Sequence, residues 1–66
     1  MMITVNGEAT QVDDTMTVTQ LVARRAPDAR RVAVARGGEV VPRSAWATTM
    51  LLPGDRVEVL AAVAGG

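Results

Sequence analysis

Few groups in this sequence are suited to chemistry. They are the glycine pair Gly65–Gly66 that ends "AVAGG", the carboxylates Asp13 and Asp14, and the guanidinium groups of Arg24, Arg25, Arg30 and Arg31. With no His and no Cys among 66 residues, there is no obvious nucleophile–base pair and no soft metal site. Adjacent carboxylates suit acid–base or metal chemistry. Asp13 and Asp14, however, precede a helix start, where the dipole favours negative charge, and they read as its turn. The four Arg residues flank the other end of that helix and read as a solvated C-terminus, with an acidic protein partner as the alternative. Seven basic against seven acidic residues, and Trp46 as sole aromatic, argue against nucleic acid.

The carboxylate after Gly65–Gly66 is the reactive group that the sequence sets on an extended arm. It is ionised at neutral pH, hence a poor electrophile. Transfer of an adenylyl group from ATP would give it a good leaving group. For that the arm must enter another protein's active site, and glycine, lacking Cβ, permits a close backbone approach in a narrow passage. On this reading the chain is a macromolecular substrate rather than an enzyme. It is expected to bind no cofactor or metal itself, the ATP being used by the partner. The competing reading is an ordinary frayed end.

The elements that must hold this arm are legible from the patterning. A chain of this length forms one small domain that buries only roughly 60% of its unfolded surface. "MITVN" at 2–6 alternates as a half-buried strand, "NG" at 6–7 is a hairpin turn, and "EATQV" at 8–12 is the returning strand. Thr17 and Gln20 form a capping box, with Met16 and Leu21 placed as a hydrophobic staple. Val18, Leu21, Val22 and the stem of Arg25 then make one helix face, and Pro27 ends the helix. "RVAVA" at 31–35 and "EVV" at 39–41 flank Gly37–Gly38, which fits a type I′ hairpin turn. "RSAWATTML" at 43–51 reads as an irregular connection pinned by Trp46.

"LPGD" at 52–55 has type II turn chemistry, and "RVEVLAAVA" at 56–64 is the last strand. In it Val57 and Val59 face inward and Arg56 and Glu58 outward. Leu60 continues the outward face with an apolar side chain. Leu60, Val63 and Arg56 are therefore the candidate partner contacts, the alternative being that a single exposed Leu is ordinary surface. The order ββαββ plus a final strand predicts an α+β fold, a mixed sheet with one packed helix and with the first and last strands parallel and adjacent. Residues 1–61 make the domain and 62–66 a flexible tail, with Ala64 and Gly65 threading and Gly66 as acceptor. Five extended residues reach roughly 17 Å. "VLAAVA" at 59–64, the longest apolar stretch, is far short of the roughly 20 residues of a membrane helix. No secretory signal is visible either, and a cytoplasmic chain is expected.

Several stretches together resemble a known family. "MITVNGE", "TVTQLV", "EVVPRSAW" at 39–46, "PGDRVEVL" at 53–60 and "VAGG" at 63–66 are similar to the ThiS-type sulfur carriers of thiamin biosynthesis, of ubiquitin-like β-grasp fold. The resemblance covers nearly the whole chain. "VVPRSAW" is its most specific part, whereas "PGDRVEV" and Gly-Gly are shared more widely among ubiquitin-like sulfur carriers. Gly37–Gly38 departs from the Asn-Gly frequent in relatives but keeps the turn. The resemblance implies that a ThiF-like activating enzyme, using ATP and Mg, adenylates Gly66. Sulfur from a persulfide donor, loaded by a cysteine desulfurase, then gives a C-terminal thiocarboxylate. A ThiG-like thiazole synthase receives that sulfur.

Two other functions share the fold. Molybdopterin synthase small subunits use the same terminal chemistry, but their Phe-Pro-Pro segment has no counterpart here. A ubiquitin-like modifier would be joined to lysines of other proteins; this chain has no Lys with which to build Lys-linked chains of itself. A plain interaction domain with an inert terminus is the remaining reading.

Overall fold

The structure, a computed structural model, describes residues 1–28 and 31–62. Along the chain come β1 (Met2–Val5), β2 (Glu8–Gln11), α1 (Val18–Arg25), β3 (Arg31–Arg36), β4 (Glu39–Val41), a 3₁₀ helix (Arg43–Thr48) and β5 (Arg56–Ala62). The five strands form one sheet in the order β2-β1-β5-β3-β4. β1 and β5 are parallel neighbours, with Thr4 opposite Arg56 and Val5 opposite Val57, and both hairpin pairs are antiparallel. This is the mixed sheet that the sequence order predicts, with the first and last strands parallel and adjacent. A parallel pair needs a crossover, and α1 supplies it across one face of the sheet.

Alternation decides which side chains that face receives. Ile3 and Val5 from β1, Val34 from β3, and Val57 and Val59 from β5 are buried together with Val18 and Leu21 of α1. Burying a side chain such as Leu21 contributes about 1.5–3 kcal/mol, and a chain without disulfides or aromatics other than Trp46 relies on such a core, eleven residues among those described.

The helix begins where the capping code places it. The Gln20 amide N–H donates to the Thr17 hydroxyl at 3.3 Å, and the Thr17 N–H donates to the Gln20 side chain at 2.9 Å. Met16 and Leu21 are both buried, as the staple requires. α1 stops at Arg25, with Ala26 as its C-cap just before Pro27. Arg25 is exposed, and its guanidinium donates to the Thr10 hydroxyl of β2 at 3.1 Å.

The connection expected to be irregular is ordered. Residues 43–48 form 3₁₀ turns, and Trp46 is buried with its indole N–H donating to the Val41 carbonyl at 2.8 Å. The Arg43 guanidinium lies 5.1 Å from the Trp46 ring centroid. Beyond it, Val18 N–H donates to Thr49 O at 3.0 Å and Leu51 N–H to Met16 O at 2.9 Å, so the segment fastens the start of α1. The sequence carried no periodic signal for this, because a short 3₁₀ segment is held by Trp46 and by long-range bonds rather than by an apolar repeat.

Candidate functional site

Helix α1 covers one face of the sheet and leaves the other open. On the open face β5 presents Arg56, Glu58 and Leu60, all exposed. The register places Ala33 of β3 opposite Leu60, Ala35 opposite Glu58, and Thr4 of β1 opposite Arg56. Arg56 and Leu60 thus share a face, roughly 13 Å apart along an extended strand. Leu60 is 64% exposed. Because its neighbour across the ladder is only an alanine, it stands above the sheet as an apolar knob.

Shallow depressions lie on either side of that knob. One, about 390 Å³, is lined by Arg31, Val32, Ala33, Leu60 and Ala61. The other, about 360 Å³, is lined by Thr4, Asn6, Gly7, Arg56, Glu58 and Leu60. The surface is therefore apolar at Leu60 and mixed in charge around it, with Arg31 and Arg56 against Glu58. Val40 of β4 lies on the same face, opposite Ala35, and is 76% exposed. The sequence reading passed over Val40, which sits in a three-residue strand too short for alternation to show.

The other polar candidates have local partners. One Asp13 carboxylate oxygen accepts from the Thr15 hydroxyl at 2.7 Å and from the Thr15 N–H at 2.8 Å. The hydroxyl bond, then the backbone bond, hold the Asp13 carboxyl below its ordinary value of 3.8. Asp14 pairs with the terminal ammonium at 3.1 Å. These carboxylates are the turn before the helix, and no group of three or more metal-ligating acids is present among the described residues. Arg24 and Arg25 occupy the last turn of α1, Arg31 is exposed on β3, and Arg30 lies outside the described residues.

Strand β5 carries the chain toward the predicted acceptor. It pairs with β3 as far as Ala62, which faces Arg31. The contact candidate Val63, the threading residues Ala64 and Gly65, the acceptor Gly66 and nearly all of the 62–66 tail lie outside the described residues.

One residue of this region read only as a turn former. Asn6 has φ of 50° and begins the β1–β2 turn, as "NG" predicts. Its carboxamide also reaches β5: Nδ2 donates to Val59 O at 3.1 Å, and Val59 N–H donates to Oδ1 at 2.8 Å. No local signal marks this second role, because it depends on a seven-residue β5 lying beside a four-residue β1.

Comparison with known proteins agrees with this architecture. Residues 3–66 match the model of the ThiS family. A crystal structure of the thiamine biosynthesis protein ThiS from Geobacter metallireducens superposes with a TM-score of 0.81 at 39% identity, over all of both chains. A solution structure of a thiamine biosynthesis protein from the same organism gives 0.79 at 38% identity, covering all of this chain and 88% of that one. A thiazole synthase of Paramagnetospirillum magneticum is 38% identical over 66 residues, and the chain spans only 20% of its length. No described helix is long and apolar enough to cross a membrane. In sequence and in fold, the chain belongs to the ThiS family, with a ubiquitin-like β-grasp domain.

Proposed function

We propose that this chain carries sulfur on the carboxylate of Gly66 for thiazole formation in thiamin biosynthesis. The observation that carries the reading is a family match that extends through residue 66, on a fold whose last strand is held in the sheet to Ala62. In the first step a Gly66 carboxylate oxygen attacks the α-phosphorus of ATP, and pyrophosphate leaves. The terminal sulfur of a persulfide then attacks the acyl carbon and AMP leaves, giving an acyl disulfide. A thiol reduces its S–S bond and releases the thiocarboxylate.

All the catalysis in this sequence belongs to partners. A ThiF-like activating enzyme with ATP and Mg makes the adenylate, and a cysteine desulfurase supplies the persulfide. The chain itself is the carrier and not an enzyme. A ThiG-like thiazole synthase is the acceptor. Support comes from the Paramagnetospirillum protein of that name, which contains a segment similar to this entire chain. The same likeness favours thiazole over molybdopterin chemistry. A cytoplasmic location belongs to the same proposal, since the activating step draws on ATP. The open face around Leu60 and Arg56 is where partners dock.

Intact-mass measurement tests the proposal. Incubation with an activating enzyme, ATP, Mg and a persulfide donor should add the mass of one oxygen replaced by sulfur, located at Gly66. An isopeptide adduct to a lysine of another protein would favour a modifier instead. An unchanged mass would remove the carrier reading.

A further inference from the structure

The parallel ladder between β1 and β5 advances by two residues per rung on β5. Thr4 N–H donates to Asp55 O at 2.8 Å, and Asn6 N–H donates to Val57 O at 3.0 Å. The next β5 residue facing β1 is Val59. The β1 main chain cannot serve it, because Asn6 and Gly7, with φ of 50° and 83°, have already turned the chain away into β2. The Asn6 side chain takes over the rung. Its carboxamide has the same donor and acceptor as a peptide group, and it bonds both the N–H and the C=O of Val59, at 2.8 and 3.1 Å.

Among the described residues this rung is the last on that side: nothing pairs with β5 on the β1 side after Val59, while β3 continues beside it through Ala62. A strand held on both sides has a fixed direction, whereas one held on a single side can swing about its ladder. Asn6 therefore sets where two-sided support ends, three residues before the last described residue. Few side chains can do this. The position needs a residue that tolerates the left-handed region and carries both a donor and an acceptor. Asp has no donor, Gly has no side chain, and Gln is not favoured in that conformation.

We propose that Asn6 is a positioning residue for the carboxy-terminal arm, its carboxamide standing in for a third β1 rung and fixing the direction in which β5 delivers residues 63–66 to an activating enzyme. The proposal rests on the reading of Gly66 as the reacting group. Asn6 itself touches neither nucleotide nor sulfur. Its effect falls on productive entry of the arm, so it appears in kcat/KM of the activating reaction.

The test uses the full chain with Asn6→Ala, Asn6→Asp and, as a control remote from this rung, Val22→Ala, whose side chain packs partly buried on the core. Stability is measured by urea unfolding, amide exchange is followed at Val59 and Leu60, and kcat and KM are measured from mass gain with an activating enzyme, ATP and a persulfide. Asn6→Ala should exchange the Val59 amide about ten-fold faster and lower kcat/KM by about five- to ten-fold, largely through KM. Asn6→Asp, which keeps the acceptor for Val59 N–H, should fall between Asn6→Ala and the parent. It carries the comparison if Asn6→Ala does not fold. Val22→Ala should lose stability with kcat/KM unchanged. Wild-type exchange at Val59 in Asn6→Ala, or a kcat/KM loss no larger than that of Val22→Ala, overturns the proposal. If the parent chain gains no sulfur, the carrier reading fails by itself. Exchange then decides for Asn6: faster exchange at both Val59 and Leu60 supports it, and parental rates overturn it.

Discussion

Leu60 faces Ala33 across the β5–β3 ladder, on the side of the sheet that α1 leaves open. The small partner leaves the leucine 64% exposed with a depression on each flank. Substituting an exposed side chain changes stability by about 0.5 kcal/mol or less, whereas a central apolar contact in an interface is worth more than about 1 kcal/mol. Leu60→Glu should therefore leave the unfolding midpoint nearly unchanged and lower kcat/KM for sulfur loading or delivery by ten-fold or more. Parallel measurements of urea unfolding and mass gain separate the two effects. Parental transfer kinetics in Leu60→Glu would show that partners dock elsewhere.

Gly37 and Gly38 form the β3–β4 turn with φ of 58° and 85°, and a Cβ at either would meet no atom within 4 Å. Alanine there is opposed by backbone strain alone, about 1–2 kcal/mol per position. Gly37→Ala and Gly38→Ala should lower urea stability by that amount and leave sulfur loading intact at temperatures where the variants are folded. Deleting Gly66 should do the reverse, with an unchanged unfolding curve and no mass gain. The two glycine pairs are alike in sequence and opposite in consequence.

Trp46 holds the 3₁₀ segment through packing and through its bond to Val41 O. Trp46→Phe keeps most of the apolar volume but leaves that carbonyl without its indole partner, at a cost of about 1 kcal/mol or somewhat more. Trp46→Ala should cost about 3–5 kcal/mol, enough to unfold a chain of this size at moderate temperature. Circular dichroism melts of both variants check the order.

Asp13 gives the protein an acid-sensitive contact. Bonds from the Thr15 hydroxyl and N–H lower its folded pKa beneath 3.8. A depressed carboxyl contributes stability that is complete above the unfolded value and is lost as pH falls through the folded one. Asp13→Asn keeps an oxygen acceptor but cannot titrate. The melting temperature of that variant should fall less steeply than the parent's below about pH 4, with little difference near neutrality. Equal acid limbs would show that the contact is solvated away.

Much of this protein follows from local rules and is therefore written in its sequence. Period-two alternation marks β1 and β5, Thr17 and Gln20 start the helix, Pro27 stops it, and "NG" and Gly37–Gly38 turn the hairpins, because each signal acts over a few neighbouring residues. The outward position of Leu60 follows from the same alternation. The 3₁₀ turns at 43–48 did not, since they depend on Trp46 reaching back to the carbonyl that ends β4 and on bonds from residues 49–51 to the start of α1. Asn6 belongs to both classes. Its left-handed turn conformation is a local property of Asn-Gly. Its bonds to Val59 join residues 53 apart in the chain, and they exist only because the fold lays β5 beside a shorter β1. Sequence set the turn, and tertiary structure alone gave its side chain a strand to hold.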